Sequence, residues 1–306
     1  METIQAAAEK FGYIVVASNN SRNGPTANPA EAANAMWRDT QQRFPIAEQR
    51  RYFAGMSGGA RVAISIALSC HDCVAGVIAN AAGFSPGMEP PHNIKFAYFA
   101  AVGNADFNYG EFVKLRRKLD DAGAQYRIRI FDGPHGWAPP EVWFEALNWI
   151  DIRAMSAGTL PRDPSRIQQT AAEELARARE FQSQNNLLAA LRQFESLVRD
   201  FKGLADVSSA ENSVAELRNS KAVKAAEKEE ASAVAQQAEL TGKLSAQMQA
   251  IASHDLRNND LHNNDSDNVN VGDIRSRLAE LKKRGRVEVH RSERAGSAPG
   301  TWRTGG

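Results

Sequence analysis

The stretch Arg50 to Leu68, RRYFAGMSGGARVAISIAL, places the tightest constraint on how this chain can fold. It reads as a short strand over Arg51 to Ala54, a turn over Gly55-Met56-Ser57-Gly58-Gly59 and a helix starting near Ala60. The turn matches G-x-S-x-G with Ser57 at its centre. A strand that reverses so sharply into a helix holds its central residue in a strained backbone conformation. Glycines two before and two after that residue let neighbouring chain pass without a Cβ clash. The strain lifts the Ser57 hydroxyl above the sheet edge, and the helix N-terminus aims free N–H groups at whatever carbonyl it meets. The alternative is a Gly/Ser turn with no chemistry. The apolar run before the turn and the small-residue helix after it supply the context that the chemical reading requires.

The chain has 306 residues, enough for one or two domains. A net charge of +1 gives no sign of a nucleic-acid or membrane field. No apolar run reaches the ~18 residues that span a bilayer. The opening METIQAAAEKFG has no basic segment followed by a long apolar one, so no signal peptide is visible. Two cysteines, Cys70 and Cys73, form a C-x-x-C pair without a second pair to complete a metal site. A structural or incidental role is the favoured reading and a disulfide the alternative.

Tyr13 to Ser18 (YIVVAS) is an unbroken β-branched apolar run, as in a strand covered on both faces. A short helical stretch, Thr3 to Lys10, precedes it, and turn formers from Asn19 to Pro25 follow. Pro29 to Phe44 reads as a helix. Beyond the elbow, Val74 to Ala81 and Phe96 to Val102 read as buried strands, and Tyr126 to Phe131 as a half-exposed one. Helices over Phe112 to Ala122 and Glu141 to Met155 complete the alternation. Strands alternating with helices mean β-α-β units and a mostly parallel sheet, with the ligand at the C-terminal strand edge.

Ser57, Asp106 and His135 fall at three such edges. A serine hydroxyl is a poor nucleophile until a histidine takes its proton. A carboxylate fixes the imidazole tautomer, and backbone donors must hold the oxyanion. The N–H of Gly58, the residue after Ser57, is the first such donor. Asp132 competes with Asp106 as the acid, but it lies only three residues from His135 and its reach back to the ring is awkward. Trp137 and Phe107 are candidates to line a substrate pocket, against the blander reading that both belong to the core. His71 and His92 read as surface residues.

AEKFGYIVVASNNSRNGP, MWRDTQQRF, RYFAGMSGGARVA, GNADFNY and FDGPHGW together resemble the bacterial esterases akin to polyhydroxybutyrate depolymerase and feruloyl esterase, within the α/β-hydrolase superfamily. The resemblance covers residues 1–152. It implies ester hydrolysis through an acyl-enzyme with no cofactor, Ser57 as nucleophile, Asp106 as acid and His135 as base, and export in many members. In that fold the strands lie in the order 1-2-4-3-5-6-7-8. Tyr13 to Ser18 then corresponds to strand 4 and the elbow strand to strand 5. Strand 3, and the H-G loop that supplies a second oxyanion donor, would precede Met1. The expectation is an α/β-hydrolase sheet lacking its N-terminal strands, in a sequence that is truncated or starts late. A missing leader would then be consistent with export to the periplasm or beyond.

Pro161 to Pro164 punctuates the chain, and the composition shifts to Ala, Glu, Gln, Lys, Arg and Ser. The expected division is a truncated hydrolase domain over 1–155, a helical region over 160–251 and a largely disordered tail over 252–306 with a short helix at 274–283. Ile167, Ala171, Leu175, Ala178 and Phe181 mark one helical stripe; Leu188, Leu191, Phe194, Val198 and Phe201 mark another. The pair is weakly similar to a tetratricopeptide hairpin, with a plain helical appendage as the alternative. Ser208 with Glu211 forms a candidate capping box. Ser220 to Ile251 reads as a long, mostly solvated helix, and Ser253 to Gly272 as too polar to order itself.

Three functions remain open at this level. The first is a serine esterase acting on small or polymeric esters, impaired here by the loss of one oxyanion donor. The second is a non-catalytic, hydrolase-like protein that engages a protein partner through its helical half. The third is a serine peptidase on the same fold. None calls for nucleic acid or a membrane span.

Overall fold

The computed structural model describes residues 2–18, 29–70 and 73–258. In chain order the first half contains α1 (Glu2–Phe11), α2 (Pro29–Arg43), β1 (Tyr52–Met56), α3 (Gly58–Ser69), β2 (Gly76–Asn80), β3 (Ala97–Gly103), α4 (Tyr109–Asp121), β4 (Tyr126–Phe131) and α5 (Pro140–Ala157). The second half is helical: α6 (Pro164–Ser183), α7 (Leu187–Phe201), α8 (Ser208–Asn219) and α9 (Lys221–Asn258). The turn formers from Asn19 to Pro25, His71, and the tail with its helix at 274–283 lie outside the described residues.

The four strands pair in parallel in the order β1-β2-β3-β4, so their C-terminal ends share one rim. Val77, Ala79, Tyr98, Ala100 and Val102 pack with α3 and α4 on one face of the sheet. Ile78, Phe99 and Ala101 pack with α1 and α5 on the other. Both faces are covered, which is why β2 and β3 read as continuous apolar runs. The chain is an α/β protein built on a parallel sheet, followed by a helical region, as its pattern of alternation indicated.

One strand expectation is corrected. Tyr13 to Ser18 forms no strand. Tyr13 and Val15 pack onto the α1/α5 face, while Ile14 and Val16 are 51% and 44% exposed. A strand exists only where a neighbour accepts from its N–H groups and donates to its C=O groups. Among the described residues no strand pairs with this segment; the Tyr13 N–H donates instead to the Ala8 carbonyl at 2.9 Å. Among the described residues Tyr13 to Ser18 does not pair with β1. α2 likewise buries no residue, and Trp37 contributes only a ring beneath the Arg51 guanidinium, 3.6 Å away.

In β4 residues 128–131 are partly exposed, as read, but Tyr126 and Arg127 are buried. Arg127 turns inward and donates to Glu174 of α6 at 2.8 Å and Asp200 of α7 at 2.8 Å, with Glu145 of α5 at 3.6 Å. Burial lowers the affinity of this guanidinium for its proton, but the three carboxylates outweigh it and hold Arg127 charged. The arginine that looked like a solvent-facing position is the polar joint between sheet and helical half. Around it, Ile152 and Met155 of α5 share an apolar cluster with Ile167, Phe194 and Leu197.

Local signals in the helical half hold in part. Asp163 caps α6 by accepting from the Arg166 N–H at 3.0 Å, and Pro164 occupies the first turn. The capping box at Ser208 does not form. Asp206 accepts from the Ser208 N–H at 3.0 Å instead, and Ser208 becomes the first helical residue. α9 runs to Asn258, beyond the expected boundary at 251. Cys70 and Cys73 are joined by a disulfide at the end of α3, so the incidental reading of that pair is corrected. Among the described residues no helix is long and apolar enough to cross a membrane.

Candidate active site

At the end of β1, Ser57 adopts φ 54°, ψ −119°, a left-handed conformation that costs a non-glycine residue about 1–3 kcal/mol. The surroundings hold it there. The Ser57 N–H donates to the Asn80 carbonyl at 2.8 Å, and its own carbonyl accepts from the Ala60 N–H at 3.0 Å and the Arg61 N–H at 3.3 Å. The N–H groups of Gly58 and Gly59 head the helix, where α-helical geometry offers them no partner. The two glycines of the motif are not equivalent. A Cβ on Gly55 would lie 2.2 Å from the Gly59 carbonyl carbon, whereas one on Gly59 would meet nothing within 4 Å. Only the first glycine answers a steric demand.

Asp106 and His135 lie on the loops after β3 and β4, on the same rim as Ser57. The two loops are stitched together. The Asn104 N–H donates to the Phe131 carbonyl at 2.9 Å, and the Ala105 N–H to the Gly133 carbonyl at 3.0 Å. The Gly133 N–H donates to Asn104 Oδ1 at 3.1 Å. The result brings His135 Nδ1 to 2.9 Å from Asp106 Oδ1 and 3.0 Å from Oδ2. With a carboxylate as partner, Nδ1 is assigned the proton, which leaves Nε2 free to accept one. Asp106 is buried, and the Asn108 N–H donates to its Oδ1 at 2.8 Å. Asp132, the competing acid, instead accepts from Asn104 Nδ2 at 3.1 Å. Among the described residues no hydrogen bond joins Ser57 to His135.

Two asparagines that were not singled out in the sequence tie the rim together. Asn80 ends β2 fully buried, and its Oδ1 accepts from the Ala138 N–H at 3.2 Å, so one residue anchors both the elbow and the histidine loop. Asn108 Nδ2 donates to the Ala81 carbonyl at 2.8 Å. The available signal was a lone amide closing the otherwise apolar run VAGVIANA. The core reading of the two aromatics is corrected as well. Phe107 is 66% exposed and stacks on the His135 ring with centroids 4.2 Å apart. Trp137 is half-exposed, 6.1 Å from Trp143.

Two clefts lie elsewhere. One of about 810 Å³ runs under the N-terminal ends of the strands, past Tyr52, Val74 and Phe96. Another, of about 690 Å³, separates α2 from α3. Neither is lined by Ser57, Asp106 or His135. Among the described residues no cluster of His, Cys, Asp or Glu is arranged to hold a metal ion.

No family model matches the sequence, and no curated protein matches it. Among solved structures the chain is similar to an S-formylglutathione hydrolase of Staphylococcus aureus, at 18% identity over 40% of this chain and 59% of that one, with a TM-score of 0.33. It is similar to a fluorophosphonate-binding serine hydrolase of Staphylococcus aureus, at 17% identity over 48% of this chain and 75% of that one, with a TM-score of 0.39. A ferulic acid esterase matches at 18% identity over 44% and 64%, with a TM-score of 0.35. The chain spans 59% to 75% of the lengths of these three proteins.

Proposed function

We propose that this chain carries the site of a serine carboxylic-ester hydrolase that works through an acyl-enzyme. The observation that supports it most is the contact of His135 Nδ1 with both oxygens of buried Asp106, on the rim where Ser57 is held in strain at a helix N-terminus. In this reading His135 Nε2 takes the Ser57 proton as Oγ attacks the ester carbonyl. Asp106 stabilises the imidazolium. The tetrahedral oxyanion accepts from the Gly58 N–H at the head of α3. Collapse breaks the ester bond, and His135 returns its proton to the leaving alkoxide. Water then attacks the acyl-serine by the same route and regenerates the hydroxyl. Exposed Phe107 and Trp137 offer apolar flanks for the acyl or alcohol part of the ester.

The Gly58 N–H, at the head of α3 directly after the nucleophile, is the donor this reading relies on. Hydrolysis of an activated ester such as p-nitrophenyl acetate, compared with Ser57→Ala, tests the reading. Turnover that the substitution abolishes supports it, and equal turnover in both proteins rejects Ser57 as nucleophile. Peptide hydrolysis through the same residues is the neighbouring alternative, separated by assaying the matched ester and amide.

A non-catalytic role, with the helical half engaging a protein partner, is favoured by one observation: Ser57 and His135 are not hydrogen-bonded to each other among the described residues. Unliganded sites often tighten only on binding substrate. Absence of any Ser57-dependent turnover would therefore decide for the interaction role.

A further inference from the structure

The last helix among the described residues, α9, reaches back to the loop that carries Asp106. One stripe of α9, at successive helical turns, faces the start of α4: Glu230, Val234 and Gln237. Glu230 Oε1 accepts from the Tyr109 hydroxyl at 3.1 Å. The same carboxylate is gripped by the Arg192 guanidinium of α7, with Nη1 donating to Oε1 at 2.9 Å and Nη2 to Oε2. Val234 is buried, and it packs so closely over Gly110 that a Cβ there would lie 3.0 Å from its Cγ1. Gln237 Nε2 donates to the Phe107 carbonyl at 3.3 Å. The remainder of this part of α9 is largely exposed, so these contacts are where the helix spends its packing surface.

The segment so held is Phe107 to Gly110, directly after Asp106. Its ring at 107 stacks on His135, and its N–H at 108 donates to the Asp106 carboxylate. We propose that α9 is a positioning element for the hydrolytic site, with Glu230 and Gln237 as positioning residues that act through this segment on the Asp106–His135 pair. The proposal rests on the hydrolase reading and extends it: the helical half is part of the catalytic apparatus rather than an appendage. Arg192 anchors Glu230 from α7, and α7 is itself tied to β4 through Asp200 and Arg127. The brace is therefore referenced to the sheet rather than to solvent. Glu230 keeps its charge despite burial, which opposes it, because Arg192 and the Tyr109 hydroxyl both stabilise the carboxylate.

The test is the full chain carrying Glu230→Ala with Gln237→Ala, read three ways. Circular dichroism and a thermal melt report whether the sheet stays folded. The ring-proton resonances of His135 report its contact with Asp106 and Phe107, whatever the activity. Second-order labelling of Ser57 by a fluorophosphonate reports the nucleophile. The expected result is a folded protein whose His135 resonances move and whose labelling slows at least tenfold, with Glu230→Gln, which keeps an acceptor for Tyr109, recovering much of the rate. Unmoved His135 resonances and an unchanged labelling rate in the folded double variant would overturn the proposal. Should the unaltered chain resist labelling, the nucleophile assignment fails on its own. The His135 resonances would still decide whether α9 sets the loop.

Discussion

The carbonyl oxygen of Gly133 occupies the space that a side chain on Gly103 would need: a Cβ there would lie 2.1 Å from it. The end of β3 and the loop after β4 can therefore touch backbone to backbone, and that contact sets Asp106 beside His135. Gly103→Ala should push the loops apart at a cost of about 1–3 kcal/mol and lower esterase turnover more than tenfold in protein that still folds. Gly55→Ala, facing the Gly59 backbone, should be as damaging, whereas Gly59→Ala should leave the melting temperature nearly unchanged. Thermal denaturation of the three variants checks the ranking. Equal stability of Gly55→Ala and Gly59→Ala would contradict it.

The choice between two aspartates can be put to kinetics. Asp106→Asn removes the carboxylate that orients His135 and should reduce turnover on the order of 10³-fold or more. Asp132→Asn disturbs only the bond from Asn104 and should stay within a few-fold of the unaltered chain. The reverse pattern in kcat would reassign the acid.

Much of this arrangement was legible before any coordinates. The apolar runs of β2 and β3, the small-residue helix after Ser57 and the glycine-rich loops around residues 103 and 133 carry their structure locally, through burial on both faces and turn chemistry. What escaped was whatever depends on a distant partner. Tyr13 to Ser18 has a strand's composition but no neighbour to bond. Arg127 looks solvent-facing until carboxylates from three helices converge on it. Phe107 and Trp137 could not be sorted into core or rim without knowing what covers them. Asn80 was hidden by its strand, since a single amide shows its role only when the loop it anchors is in place.

The joint at Arg127 should be costly to break from one side. Arg127→Met leaves Glu174, Asp200 and Glu145 sharing a buried region with too few countercharges, a loss of about 3–5 kcal/mol. Urea denaturation measures it. A change below about 1 kcal/mol would mean that the network is solvated and does not bind the two halves.

Stability should depend on pH through Tyr109 and Glu230. Burial, reinforced by the Glu230 charge, pushes the Tyr109 hydroxyl up to about 12 from its ordinary 10.0. A value raised on folding means that its contribution is intact below about pH 10 and is lost as pH rises through 12. Glu230 is shifted the other way: burial opposes ionisation, but Arg192 and Tyr109 hold the carboxylate below its ordinary range. Its contribution is intact above that range and is lost as pH falls through the lowered value. Tyr109→Phe should flatten the alkaline limb of a melting-temperature profile relative to the unaltered chain. Parallel profiles above pH 10 would rule out this contact as the source.

The central claim is that Ser57 is a nucleophile activated by His135, and fluorophosphonate labelling followed by peptide mass spectrometry tests it most directly. The expected result is a single phosphonyl adduct on Ser57, absent in Ser57→Ala and reduced at least a hundredfold in His135→Ala. An adduct on another residue, or labelling of Ser57 that His135→Ala leaves unchanged, would contradict it.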